Sequence, residues 1–145
     1  MKKILYSLLI FTSATVFAQK NKAVKFAVSD GIVGTVSIFD NVKNSIQSKE
    51  LYKTSTSLPQ NLKKFSFIAD QGLTEIKLKK DAGILDNVNL ANYNLQNNLP
   101  ADRPVIIEGY EFKNTDMKIF ADIAENVEVK DYNGVKSVFI TTTRK

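Results

Sequence analysis

Apolar and polar positions alternate with a period of two along much of this chain, a pattern that predicts strands more readily than helices. Val24, Phe26 and Val28 share one face against Lys25, so residues 23–29 read as a strand, and Asp30-Gly31 reads as its turn. A second β-rich run covers residues 32–39, with Gly34 marking a bulge. Asp40 is then expected to cap a brief helix over 41–48, because Val42 and Ile46 lie four apart. Residues 51–57 read as a short edge strand and 58–61 as loop. Residues 64–69 read as a further strand, turned at Asp70-Gln71-Gly72 into a strand over 73–80. In that last run Thr74, Ile76 and Leu78 oppose Glu75, Lys77 and Lys79, the mark of a sheet face that is wet on its outer side.

Two periods compete in residues 84–99. Leu85, Leu90 and Leu95 recur every five residues with Asn87, Asn92 and Asn97 in phase, as in a pentapeptide-repeat solenoid. Only about two and a half copies are present, fewer than a stacked solenoid core requires. A helix from about Asn89 to Asn97 is the preferred reading, although six Asn between 87 and 98 give it poor propensity. After a Pro-rich loop, 105–108 reads as a strand ended by Gly109, with 110–112 continuing beyond. Asn114-Thr115-Asp116 offers a cap for a helix over 117–124, where Met117, Phe120 and Ile123 form a stripe. At the C-terminus, residues 127–131 and 136–142 flank Asn133-Gly134, a strong hairpin signal. Closing on that turn pairs Tyr132 with Val135, Asp131 with Lys136, Val129 with Val138 and Val127 with Ile140. The apolar residues then meet each other, the charges are matched, and Glu128 comes beside Phe139 on the outer face.

Residues 1–18 follow a different pattern. Met1-Lys2-Lys3 is basic, 4–17 is mostly apolar and uncharged, and Val16-Phe17-Ala18 has the character of a cleavage site. Residues 1–18 are therefore expected to be a secretory signal peptide cut before Gln19, since the apolar run is short of the ~20 residues that span a bilayer. Residues 19–145 suffice for a single domain with its own core. Without Lys2 and Lys3 the net charge falls from +5 to +3, and the basic residues are scattered, so nucleic acid is not an expected partner. The chain contains no Cys and no His, which removes disulfides, a lipid-modified Cys, thiol and His-dependent catalysis and ordinary zinc sites.

Arg103 to Ile140 has a further outline: Pro104-Val105-Ile106-Ile107-Glu108-Gly109, a short helix reaching Ile123, then Val127-Glu128-Val129-Lys130-Asp131. This resembles the plug-domain motif of TonB-dependent outer-membrane receptors. The resemblance covers fewer than forty residues, and Glu108 stands where that family usually has Asp. It implies a strand–helix–hairpin unit in an envelope setting. No barrel follows, so a receptor is not implied.

Three groups of residues carry candidate chemistry. Glu108 and Glu111, with Tyr110 and Asp116 nearby, are the candidate carboxylates of a glycan hydrolase. Strand alternation would put Glu108 and Glu111 on opposite faces, which spoils the pair. Glu125, Glu128 and Asp131, with Asn126, are a candidate hard-cation set, although a solvated hairpin face explains them more simply. Tyr110, Phe112, Tyr132 and Phe139 are candidate binding residues, on the expectation that aromatics on an outer sheet face anchor a partner. Their competing role, and the favoured one, is completing the core of a domain without Trp. The combined expectation is one exported α+β domain, periplasmic or extracellular. It would be mainly antiparallel sheet with two or three short helices on one face and a C-terminal β-hairpin at or near the centre. Its expected function is non-enzymatic binding of an envelope protein or glycan, with a small carboxylate-dependent glycan hydrolase as the alternative. No catalytic residue is assigned, and no cofactor, metal or membrane span beyond the signal is expected.

Overall fold

In the computed structural model, residues 19–83 and 85–143 are described; the expected signal peptide, 1–18, lies outside them. The first strand, β1 (Phe26–Ser29), turns at Asp30-Gly31 into β2 (Ile32–Thr35). Asp30 and Gly31 have φ of +51° and +77°, so the turn is the left-handed kind that matches strand twist. A kinked 3₁₀ segment, Val36–Ser45, leads to β3 (Ile46–Tyr52). Two further 3₁₀ helices, Ser55–Ser57 and Gln60–Ile68, precede β4 (Leu73–Leu78). Then come β5 (Asn87–Asn89), helix α1 (Leu90–Gln96), β6 (Val105–Ile107), β7 (Tyr110–Phe112) and β8 (Lys118–Phe120). A 3₁₀ turn, Ala121–Ile123, leads to the terminal hairpin of β9 (Asn126–Tyr132) and β10 (Val135–Thr141). The result is a single small α+β domain.

The strands form a six-stranded sheet, ordered β3-β4-β1-β2-β8-β5, and a four-stranded sheet, ordered β7-β6-β10-β9. Five of the eight pairings are antiparallel; β1–β4, β2–β8 and β6–β10 are parallel. The main core lies where the inner faces of both sheets meet: Phe26, Val28, Val33 and Ile119 from one, Val105, Ile107, Phe112, Val138 and Ile140 from the other. Leu62, Phe65 and Ile68 of the 3₁₀ helix and Leu90 of α1 complete it. On the opposite face of the six-stranded sheet, Ala27, Phe39, Ile76 and Phe120 form a second cluster under the Val36–Ser45 segment. β1 is consequently buried at all four positions rather than half-wet.

The terminal hairpin forms in the expected register, with Tyr132 opposite Val135, Val129 opposite Val138 and Glu128 opposite Phe139. β10 is an interior strand and β9 an edge. The helix expected near 89–97 is α1, and its Asn content has local explanations. Asn89 caps it by accepting from the Asn92 N–H at 3.0 Å. Asn97 donates to the Tyr93 carbonyl, and Asn98 closes the helix with a left-handed φ of +59°. Leu90 is sealed in the core while Leu95 is 58 % exposed, so the five-residue period builds no Leu column.

Five expectations are corrected. Residues 64–69 are not a strand: Leu62, Phe65 and Ile68 are buried at every third position, the repeat of a 3₁₀ helix, in which residues i and i+3 eclipse. Residues 41–48 are not a helix capped by Asp40, because the 3₁₀ segment begins after Thr35 and Ile46 already belongs to β3. The edge strand accordingly lies earlier than 51–57. Residues 117–124 hold β8 and one 3₁₀ turn instead of a helix. Ile119 pairs with both Val33 and Val88, and it is buried in the inter-sheet core while Phe120 is buried in the second cluster. Burial of adjacent residues on opposite sides requires a strand. Gly34 is not a bulge either, since its pairing with Ala27 is regular. Its missing side chain matters for space: a Cβ there would come 2.8 Å from Ile38 Cδ1 and 2.9 Å from Phe120 Cδ2.

One buried amide positions β6. Asn94 is 0 % exposed, and its Nδ2 donates to the carbonyls of Ala101 (3.0 Å) and Arg103 (2.7 Å), fixing the loop that delivers Val105 to the sheet. Asn94→Ala leaves both carbonyls unpaired and is expected to cost about 2–4 kcal/mol of stability, read as a lowered urea midpoint with unchanged slope.

Candidate interaction surface

The four-stranded sheet has one face in the core and one turned outward, and alternation decides which residues occupy each. Val105 and Ile107 point into the core, and the β6–β7 turn is only two residues long, pairing Ile107 with Tyr110 and Val105 with Phe112. Glu108 and Gly109 take φ of +50° and +82°, so the chain reverses at once and Tyr110 and Phe112 inherit the inward face. Both are buried, and the ring of Phe26 packs edge-on to Tyr110 at 5.3 Å. The binding reading of these two aromatics is therefore corrected, and the favoured alternative holds for them: they are core residues. The Tyr110 hydroxyl donates to Asp70 Oδ1 at 2.6 Å, and burial, reinforced by that carboxylate, pushes its pKa far above the usual phenol range.

Tyr132 and Phe139 do lie on the outer face. They sit on β9 and β10, out of phase with the buried Val138 and Ile140. Their rings meet at 6.0 Å with a 72° interplanar angle, the edge-to-face contact that ring quadrupoles favour. Both remain half-buried, and Val135, opposite Tyr132, is 45 % exposed. The Tyr132 hydroxyl donates to Glu111 Oε2 at 3.1 Å. That bond runs from one edge strand to the other, so the two side chains must extend over β6 and β10 between them. Beneath lie Ile106 and Ser137, each 1 % exposed although on the outward register. Burial, then the nearby Glu111 carboxylate, raises the Tyr132 pKa above 10.0, which keeps the hydroxyl a donor at neutral pH.

Charged groups rim this aromatic pair. Lys130 Nζ stands 5.5 Å from the centre of the Phe139 ring and 2.9 Å from Glu128 Oε2, while Asn126 donates to Glu128 Oε1 at 3.0 Å. Asp131 pairs with Lys136 at 3.2 Å on the other face. The candidate cation residues Glu125, Glu128 and Asp131 are thus not gathered, and among the described residues no group of three such ligands could hold an ion. Of the rim glutamates, Glu128 was legible through the hairpin register. Glu111's contact with Tyr132 had no sequence signal.

Glu108 is 7 % exposed and fully engaged. Its Oε1 accepts from the Thr142 N–H (2.6 Å) and hydroxyl (3.0 Å), and its Oε2 accepts from Asn21 Nδ2 (2.9 Å). Its carbonyl accepts from the Asn21 N–H, and its N–H donates to the Ile140 carbonyl. One side chain thus ties residues near both ends of the domain to the β6–β7 turn. The approach is so close that a Cβ on Gly109 would collide with the carbonyl of Gln19. Glu111 instead lies on the outer face with Tyr132, so the two candidate acids serve separate networks.

No family model, curated protein or solved structure matches this chain. Among the described residues no helix is long and apolar enough to cross a membrane.

Glu108→Gln should expose the structural role of that carboxylate. An amide cannot accept at both positions, and a loss of about 1–3 kcal/mol in unfolding free energy is expected, together with faster amide exchange at Asn21 and Thr142. Unchanged stability and exchange would show that the clamp is absent in solution.

Proposed function

We propose that this protein is an exported, non-enzymatic binding module of the cell envelope, and that it docks a partner protein on the outer face of its four-stranded sheet. The observation that carries the reading is the half-exposed Tyr132–Phe139 pair, extended by Val135 and rimmed by Glu111, Glu128 and Lys130. An aromatic centre within a charged rim is the anatomy of a protein interface, where Tyr carries a large share of the binding energy. Export is supported by the signal-like pattern of residues 1–18. The envelope setting agrees with what the plug-domain resemblance implies. The hydrolase alternative gains nothing from Glu108, whose oxygens already accept three hydrogen bonds.

The purified protein, immobilised and exposed to solubilised envelope, is expected to retain one dominant protein. Tyr132→Ala with Phe139→Ala should weaken that retention by about tenfold or more, while Lys22→Ala leaves it unchanged. Retention that survives the double substitution, or capture of a glycan in place of a protein, contradicts the assignment.

A further inference from the structure

An open groove of about 920 Å³ lies around the β1–β2 turn, away from the aromatic face just described. Its origin is a difference in strand length. β1 pairs with β4 only at Ala27–Thr74 and Val28–Glu75 and then turns away at Asp30-Gly31. β4 continues past that turn to Leu78, with β3 beside it, so the far end of β4 and the following residues become a wall with no neighbour on the β1 side.

Lys64, Lys77, Lys79 and Lys80 line this groove, and all four are exposed. Two carboxylates, Asp30 and Glu75, stand against them, and Glu75 already accepts from Asn61 at 3.3 Å. Among the described residues none of the four lysines is in an ion pair. Lys64 Nζ lies 5.1 Å from the centre of the Phe65 ring. Four lysines against two carboxylates leave the concavity net positive, so a polyanion entering it is attracted. The remaining polar lining, the Ser29 hydroxyl and the amides of Gln47, Asn61 and Asn87, can both donate to and accept from hydroxyl groups. Phe65 and Phe120 contribute to the floor but are themselves buried, so no exposed ring is offered for stacking a nucleic-acid base. The volume lies at the upper end of the ~300–1,000 Å³ typical of ligand pockets, enough for several sugar rings.

We propose that this groove binds an acidic oligosaccharide, whose carboxylates face the four lysines and whose hydroxyls meet the amides. The site goes beyond the protein-docking face and does not depend on it.

Titration calorimetry of the purified protein with a short oligogalacturonate tests this, with a neutral cello-oligosaccharide of equal length as control. Binding of the acidic probe alone is expected, weakening as salt rises. The triple variant Lys77→Gln/Lys79→Gln/Lys80→Gln should bind about tenfold more weakly. Lys22→Gln/Lys113→Gln/Lys118→Gln, which removes the same charge outside the groove, should bind as the unaltered protein does. Absence of binding, equal binding of the neutral probe, equal loss in both triple variants, or tighter binding of a short oligoglutamate would each overturn the proposal.

Discussion

Three two-residue turns with left-handed backbone set the registers on which everything else in this protein depends. Asp30-Gly31, Glu108-Gly109 and Asn133-Gly134 all place a first residue near φ +50° and a glycine near +80°. Each reverses the chain with no slack, so each strand hands its face assignment to the next. The first turn lets β1 and β2 send alternate residues into the inter-sheet core and the second cluster. The second carries Tyr110 and Phe112 inward and leaves Glu111 outside. The third puts Val138 and Ile140 in the core and Phe139 and Tyr132 outside. A one-residue slip at either of the last two would exchange core for surface.

A left-handed Glu is costly by about 1 kcal/mol or more, and the fold supplies compensation at that position. The Glu108 carboxylate, carbonyl and N–H are all bonded, to Asn21, Thr142 and Ile140. The turn and the segments around Asn21 and Thr142 therefore stabilise one another. This also explains why an acidic residue is buried in a strand turn that could otherwise be mistaken for a catalytic acid. The outer face follows from the same constraint: the Tyr132–Glu111 bond can span the sheet because both turns hold their strands in step.

Much of this was legible where a local signal and the tertiary demand coincide. Asn133-Gly134 announces its turn, and the matched apolar and charged pairs around it fix the register. α1 was readable despite its propensity because too few five-residue copies are present for a solenoid, whereas its Asn89 cap is a finding of the structure. Glu108-Gly109 adopts the same turn, but Glu carries no such signal, because the bonds that hold it come from residues far along the chain. The same missing signal left an outer-face role open for Tyr110 and Phe112, although the core was their favoured place. β8 was hidden because its three residues acquire strand character only from β2 and β5 on either side. The Gln60–Ile68 helix was hidden because Phe65, Phe67 and Ala69 mimic a period of two, while the buried set, Leu62, Phe65 and Ile68, has a period of three.

The most direct test of this register argument is hydroxyl-radical labelling of the folded protein, read residue by residue by mass spectrometry. The structure predicts modification of Tyr132 and Phe139, with Tyr110 and Phe112 protected until denaturant unfolds the domain. Labelling of Tyr110 and Phe112 in the native state, with Tyr132 and Phe139 protected, would contradict the assignment of the turns and with it the location of the interaction surface.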